Sequence, residues 1–81
     1  MERVQIENKL SEIFQRVFDQ PDLKVHDEMT AGEVEQWDSL THVDMILTVE
    51  STFKIRIPTN QAAKLKNVGE LIGIISGKVN A

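Results

Sequence analysis

The stretch Asp38-Ser-Leu-Thr-His-Val-Asp-Met-Ile-Leu-Thr-Val-Glu-Ser-Thr-Phe53 decides the fold. It holds neither proline nor glycine, and it opens on an aspartate whose carboxylate can accept the free N–H groups of a first helical turn. The pattern predicts a helix from Asp38 to Phe53. Its apolar residues form two stripes: Met45, Ile46, Val49 and Phe53 make one, and Leu40, Val43 and Leu47 make another, turned well away from the first. The core of a small bundle needs only one stripe. Flanked by Asp38, Asp44 and Glu50, the second has the composition of an exposed docking ridge with an acidic margin. The same pattern also suits a central helix buried nearly all round, and periodicity alone weighs the two readings equally.

Upstream, Ile6, Leu10, Ile13, Phe14 and Val17 recur at the spacing of one helical face and predict a first helix over residues 2–18. It should end near Asp19-Gln20-Pro21, because proline disfavours helical geometry in the residue before it and has no N–H to donate. Residues 20–38 show no sustained period. A loop of that length in a small domain is functional or pinned by side chains, and Leu23, Val25, Met29, Val34 and Trp37 are the candidate pins. Downstream, Phe53-Lys-Ile-Arg-Ile57 alternates like a strand, but no segment of matching pattern exists to pair with it. It is expected to be an extended connector ending at Pro58. Thr59 to Leu65 allows a short third helix. Asn67-Val-Gly-Glu70 has the form of a capping box, which assigns Leu71, Ile72, Ile74 and Ile75 to a last helix stopping around Gly77. The expected fold is all-α, a four-helix bundle with a long first loop and a short third helix, in one domain spanning residues 1–81.

Composition narrows the chemistry. The chain has 81 residues, enough for one core but not for two domains, and a deeply enclosed active site is not expected at this size. With 0 cysteines there is no disulfide framework, thiolate zinc site, iron–sulfur cluster or cysteine nucleophile, and 2 histidines leave little for a metal. No apolar run approaches the roughly 18 residues of a membrane span, and the start of the chain is too charged for a signal peptide, so a cytoplasmic location is expected. A net charge of −4 argues against a nucleic-acid partner. The distribution of charge is more telling than its total: residues 25–53 carry 7 acids and no lysine or arginine, whereas residues 54–81 carry 5 bases and 1 acid. Such an asymmetry can steer a partner, although solvated acidic loops are common.

Ser39 falls at the N-terminal tip of the Asp38–Phe53 helix, where the helix dipole favours a phosphate ester on its hydroxyl. Simple capping by Ser39 or Asp38 is the commoner role for such residues. A hydrolytic set of Ser39, His42 and Asp44 fails on geometry, because residues i and i+2 on a helix point apart and Asp44 cannot orient His42 against Ser39. No catalytic residue is therefore assigned. A calcium loop starting at Asp38 lacks acids at its third and fifth positions, the central glycine and the terminal glutamate.

Trp37-Asp38-Ser39-Leu40, followed by Val43, Asp44, the Val49-Glu50 pair, Phe53-Lys-Ile-Arg-Ile57-Pro58 and Val68-Gly69-Glu70-Leu71, resembles the acyl carrier protein family across nearly the whole chain. The resemblance implies a four-helix bundle with Met45, Ile46, Val49 and Phe53 inside and Leu40, Val43 and Leu47 outside. It implies that Ser39 carries 4′-phosphopantetheine, derived from coenzyme A, and that Asp38 belongs to the same site. Leu40, Val43, Asp44, Leu47 and Glu50 become partner contacts. The implied partners are a phosphopantetheinyl transferase and acyl-activating, acyltransferase or synthase enzymes with basic docking patches, met by a monomeric carrier that performs no bond-breaking of its own. Such a carrier presents acyl thioesters to fatty-acid or polyketide biosynthetic enzymes.

The sequence departs from the family at two places. Thr41 and His42 follow Ser39-Leu40 where fatty-acid carriers usually begin with an acid, and Thr59-Asn60-Gln61-Ala62-Ala63 replaces an acidic third helix. With Lys54, Arg56, Lys64 and Lys66 nearby, these changes suggest a stand-alone carrier of a specialised pathway such as polyketide, lipid-modification or polysaccharide synthesis. Two alternatives remain: an aminoacyl or peptidyl carrier, and an unmodified helical adaptor docking through the Leu40-Val43-Leu47 ridge with Trp37 as anchor. On the carrier reading Trp37 instead packs the long loop onto the helices.

Overall fold

The computed structural model describes residues 1–80. Four α-helices follow one another: α1 (Arg3–Val17), α2 (Ser39–Phe53), α3 (Thr59–Ala63) and α4 (Val68–Val79), with a single 3₁₀ turn at Ala31–Glu33 inside the first loop. No strand occurs among the described residues. This is the expected four-helix arrangement with a long first loop and a short third helix.

Each helix ends for a local reason. After α1 the backbone of Asp19 enters the left-handed region (φ 54°), and the Gln20 N–H closes back on the Gln15 carbonyl at 3.0 Å, so the chain has turned off the helix axis before Pro21. After α2 the same device recurs without glycine: Lys54 is left-handed (φ 57°) and the Ile55 N–H reaches the Glu50 carbonyl at 3.1 Å. The connector beyond is extended and unpaired, as its lack of a partner segment predicts. Short α3 stops at Ala63, earlier than the Leu65 limit, because Lys64 and Leu65 tighten onto the carbonyls of Gln61 and Ala62.

The last helix corrects two expectations. It runs through Gly77 to Val79, since Gly77 has no positive φ with which to break the helix and half-buried Val79 still packs against the core. Its start is capped by Asn67, whose Oδ1 accepts from the Glu70 N–H at 2.9 Å, but Glu70 does not return the bond to Asn67. Instead its carboxylate accepts from the Lys66 N–H at 2.8 Å, one residue further back.

The core is a single cluster: Ile6, Leu10, Ile13 and Phe14 of α1 meet Met45, Ile46, Val49 and Phe53 of α2 and Val68, Leu71, Ile72 and Ile75 of α4. The long first loop is pinned as expected, with Met29 and Val34 buried and Leu23, Val25 and Trp37 packed against the cluster. Polar ties complete the pinning. Ser11 Oγ accepts from the Val25 N–H at 3.1 Å, and the carbonyls of Asp27 and Met29 accept from the Gly69 and Val68 N–H groups at 2.9 Å each, stitching the loop to the first turn of α4. A Cβ at Gly69 would stand 3.1 Å from the Asp27 carbonyl oxygen, tighter than an ordinary contact, so a larger residue there would press on this seam. Arg3 adds a side-chain link from α1, bridging Glu7 and Asp27.

Candidate functional site

The tip of α2 is where loop, α2 and α3 converge. Asp38 is its N-cap: Oδ1 accepts from the Leu40 N–H at 2.9 Å and from the Thr41 N–H at 3.0 Å, and Thr41 Oγ1 accepts from the Asp38 N–H at 2.8 Å. These bonds to the ionised form, led by that from the Thr41 backbone, hold the Asp38 carboxyl below its ordinary value. Two of the first-turn N–H groups expected to greet a phosphate on Ser39 are thus already occupied by Asp38. What the helix end retains for such a group is its dipole and an open approach. Ser39 is exposed, and its hydroxyl has no hydrogen-bond partner among the described residues.

The two stripes of α2 are now separated. Met45, Ile46, Val49 and Phe53 are buried, while Leu40, Val43 and Leu47 are 80%, 55% and 57% exposed. These three dominate the exposed large apolar side chains of the described residues, joined only by Met1 and Val4 near the start of α1. Asp44 lies exposed beside them. Glu50 is placed differently: it is half-buried, and its carboxylate accepts from the Ile57 N–H at 2.7 Å, tying the connector back onto α2. This carboxylate is therefore partly committed to the fold.

Two cavities open at this end of the molecule. A cleft of about 520 Å³ lies between α2 and the connector and α3, lined by Val43, Ile46, Leu47 and Ile57 with Glu50 and Arg56 at its polar side. A second of about 310 Å³ lies beside Ser39, against Trp37, Asp38, Ala62, Ala63 and Leu65. His42 lines both.

Trp37 packs inward as the carrier reading requires. Its ring meets Phe14 edge-on at 5.2 Å, approaches Phe18 at 5.4 Å and lies nearly parallel to His42 at 6.0 Å. Neither His42 nitrogen turns to Ser39. Nδ1 accepts from the Trp37 indole N–H at 3.0 Å, and Nε2 lies 3.0 Å from the Ala62 carbonyl oxygen. The structure places His42 half-buried, wedged between the loop and α3. No periodic signal marks such a residue, because its two partners lie on different elements. The sequence marks Arg56 as basic but not as a residue of the cleft, and the Asp38–Thr41 reciprocal cap is a further feature of the site that Asp-x-x-Thr ahead of an apolar helix signals.

Comparisons with known proteins bear on this geometry. No family model matches the chain. An acyl carrier protein of Thermosynechococcus vestitus is 38% identical over 58 residues, which is 72% of this chain and 72% of that protein. The chain belongs to the acyl carrier protein family. An acyl carrier protein of Helicobacter pylori is 45% identical over a shorter span of 38 residues, covering 47% of this chain and 49% of its own. Among solved structures, a holo acyl carrier protein from Geobacter metallireducens superposes with a TM-score of 0.83 at 34% identity, over 90% of this chain and 84% of that one. The acyl-carrier fold thus extends over 90% of the chain. No helix among the described residues is long and apolar enough to cross a membrane.

Proposed function

We propose that this acyl carrier protein is a single carrier domain whose Ser39 bears 4′-phosphopantetheine. The observation that carries the assignment is the exposed, unpartnered Ser39 hydroxyl at the N-terminus of α2, with the apolar ridge on one side and a cavity on the other. The residues fit the group: the helix dipole favours the phosphodiester, Asp38 rigidifies the turn, and nothing covers the hydroxyl. When bound, the group supplies a terminal thiol on which an acyl chain is held as a thioester. The chain's own part is to fix the attachment point and to display Leu40, Val43, Leu47 and Asp44 to partner enzymes, with Glu50 contributing charge at the edge of the cleft. Tethering makes each delivery a local encounter, so effective concentration replaces free diffusion.

No bond-breaking chemistry is assigned to the chain. His42 has both nitrogens directed at Trp37 and Ala62 rather than at Ser39, and this supports a carrier over a hydrolase. The basic residues around the connector and α3 support a dedicated partner set rather than the general fatty-acid enzymes, and a cytoplasmic location goes with that reading.

Intact-mass measurement after incubation with coenzyme A and a broad-specificity phosphopantetheinyl transferase tests the assignment. The wild type gains one arm and Ser39→Ala gains none. An arm on Ser39→Ala moves the site to another hydroxyl. No gain by the wild type returns the chain to an unmodified adaptor.

A further inference from the structure

We propose that His42 is a proton-operated latch that fastens the long first loop to α3, on the wall shared by the Ser39 cavity and the α2–α3 cleft. The two hydrogen bonds of the ring determine its state. An indole N–H can only donate, so the Nδ1 that receives it at 3.0 Å must be unprotonated. A backbone carbonyl can only accept, so the Nε2 that stands 3.0 Å from the Ala62 oxygen must bear the proton. Both bonds exist together only in the neutral imidazole with its hydrogen on Nε2. A second proton on Nδ1 turns the acceptor into a donor facing a donor. The Trp37 bond is then lost, while Nε2–H can still reach Ala62.

What the latch joins makes its release consequential. α3 has five residues, too few to hold a helix without tertiary ties, and the His42 bond reaches its buried Ala62. Trp37 keeps its apolar contacts with Phe14 and Phe18 when the bond breaks, so release is a local movement of the ring and not unfolding. The surroundings of His42 are mostly neutral. The loop brings Ala31 and Trp37, and α3 and the turn after it bring Ala62, Ala63 and Leu65; the charged residues lining the two cavities are Asp38 at the cap of α2, Glu50 of α2 and Arg56 of the connector. The carboxylates are themselves engaged, Asp38 by the first turn of α2 and Glu50 by Ile57.

The latch is a property of the unmodified chain and does not depend on Ser39 bearing an arm. Its test uses that chain, which has one tryptophan and no tyrosine. Trp37 emission and the indole N–H resonance are followed from about pH 8 to about pH 5, the range in which imidazoles gain a proton, with far-UV circular dichroism confirming that the helices persist. The wild type shows one sigmoidal change in both signals. His42→Gln, whose amide can accept from Trp37 and donate to Ala62 without titrating, loses both changes. His26→Gln keeps them, since His26 lies apart beside Glu28 and Glu33. Simple quenching by a nearby imidazolium would move the emission and leave the indole resonance still, and that result overturns the latch. So does a titration that survives in His42→Gln, or one abolished in His26→Gln. Should His42→Gln fail to fold, the wild-type indole resonance and the His26→Gln variant decide alone.

Discussion

Asp38 and Ser39 divide one helix end between them. The carboxylate of Asp38 takes the N–H groups of Leu40 and Thr41, and this leaves the neighbouring hydroxyl facing solvent with no structural duty. Asp38 is thus a positioning residue, and its charge state should be visible in stability. Its folded carboxyl lies below the ordinary aspartate value of 3.8, chiefly through the backbone bond from Thr41, so the ionised form is favoured more in the folded chain than in the unfolded one. The sign follows: this contribution is complete above the unfolded value and disappears as pH falls through the lowered folded one. Asp38→Asn keeps an oxygen acceptor for the cap but cannot ionise. Whatever margin separates the variant from the wild type near neutral pH should shift against the wild type below about pH 4. Thermal unfolding of the two proteins across that range measures it, and a margin that stays constant means that Asp38 is not stabilised by its cap bonds.

At the scale of the element, α2 works as a two-faced beam whose faces answer to different partners. Phe53 is buried against the core, and Phe53→Ala should cost roughly 3 to 5 kcal/mol. Leu47 is more than half exposed, and Leu47→Ala should stay within about 0.5 kcal/mol of wild type while impairing transfer to a partner enzyme. Urea unfolding and a transfer assay on the same two variants separate folding from docking; a large loss of stability in Leu47→Ala would place that residue in the core. The two stripes were legible in the sequence because helical periodicity groups residues by face. Which stripe lay inside was not legible from periodicity, which gives relative angle and not the direction of the core; the family resemblance assigns it, and the packing of α1 on the Met45 and Val49 face sets it in the structure. Helix starts were likewise legible at Asp38 and Asn67, where a side chain meets its own backbone within a turn. The end of α4 was misread because glycine permits a helix stop without compelling one, and burial of Val79 carries the helix past Gly77. The bridge at His42 lay beyond reading, since it joins the Trp37 ring on the loop to the carbonyl of Ala62, 20 residues beyond His42 along the chain.

Across the whole molecule, the division of charge follows the division of labour. Residues 25–53, which take in most of the pinned loop and the docking helix, carry 7 acids and no lysine or arginine, and the chain turns basic from Lys54 onward. The fold brings the two regimes together at the α2–α3 cleft, which Glu50 of α2 and Arg56 of the connector both line. A synthase surface shaped for a carrier with an acidic third helix would meet Arg56 at the cleft and Lys64 and Lys66 just after α3, and like charges brought together slow encounter and weaken binding. A transferase reading mainly the α2 tip should still modify Ser39, whereas general fatty-acid elongation enzymes should turn the loaded carrier over poorly. The cognate enzyme should pair a basic patch with Asp38 and Asp44 and a neutral or acidic patch with α3. Because these contacts are exposed, its binding should weaken as salt shortens the Debye length from about 10 Å at 0.1 M to about 3 Å at 1 M. Elongation assays run beside a carrier with an acidic third helix, together with binding to the cognate enzyme at low and high salt, test both halves. Equal turnover by the two carriers would show that α3 charge does not select partners, and salt-independent binding would place recognition on the Leu40, Val43 and Leu47 ridge alone.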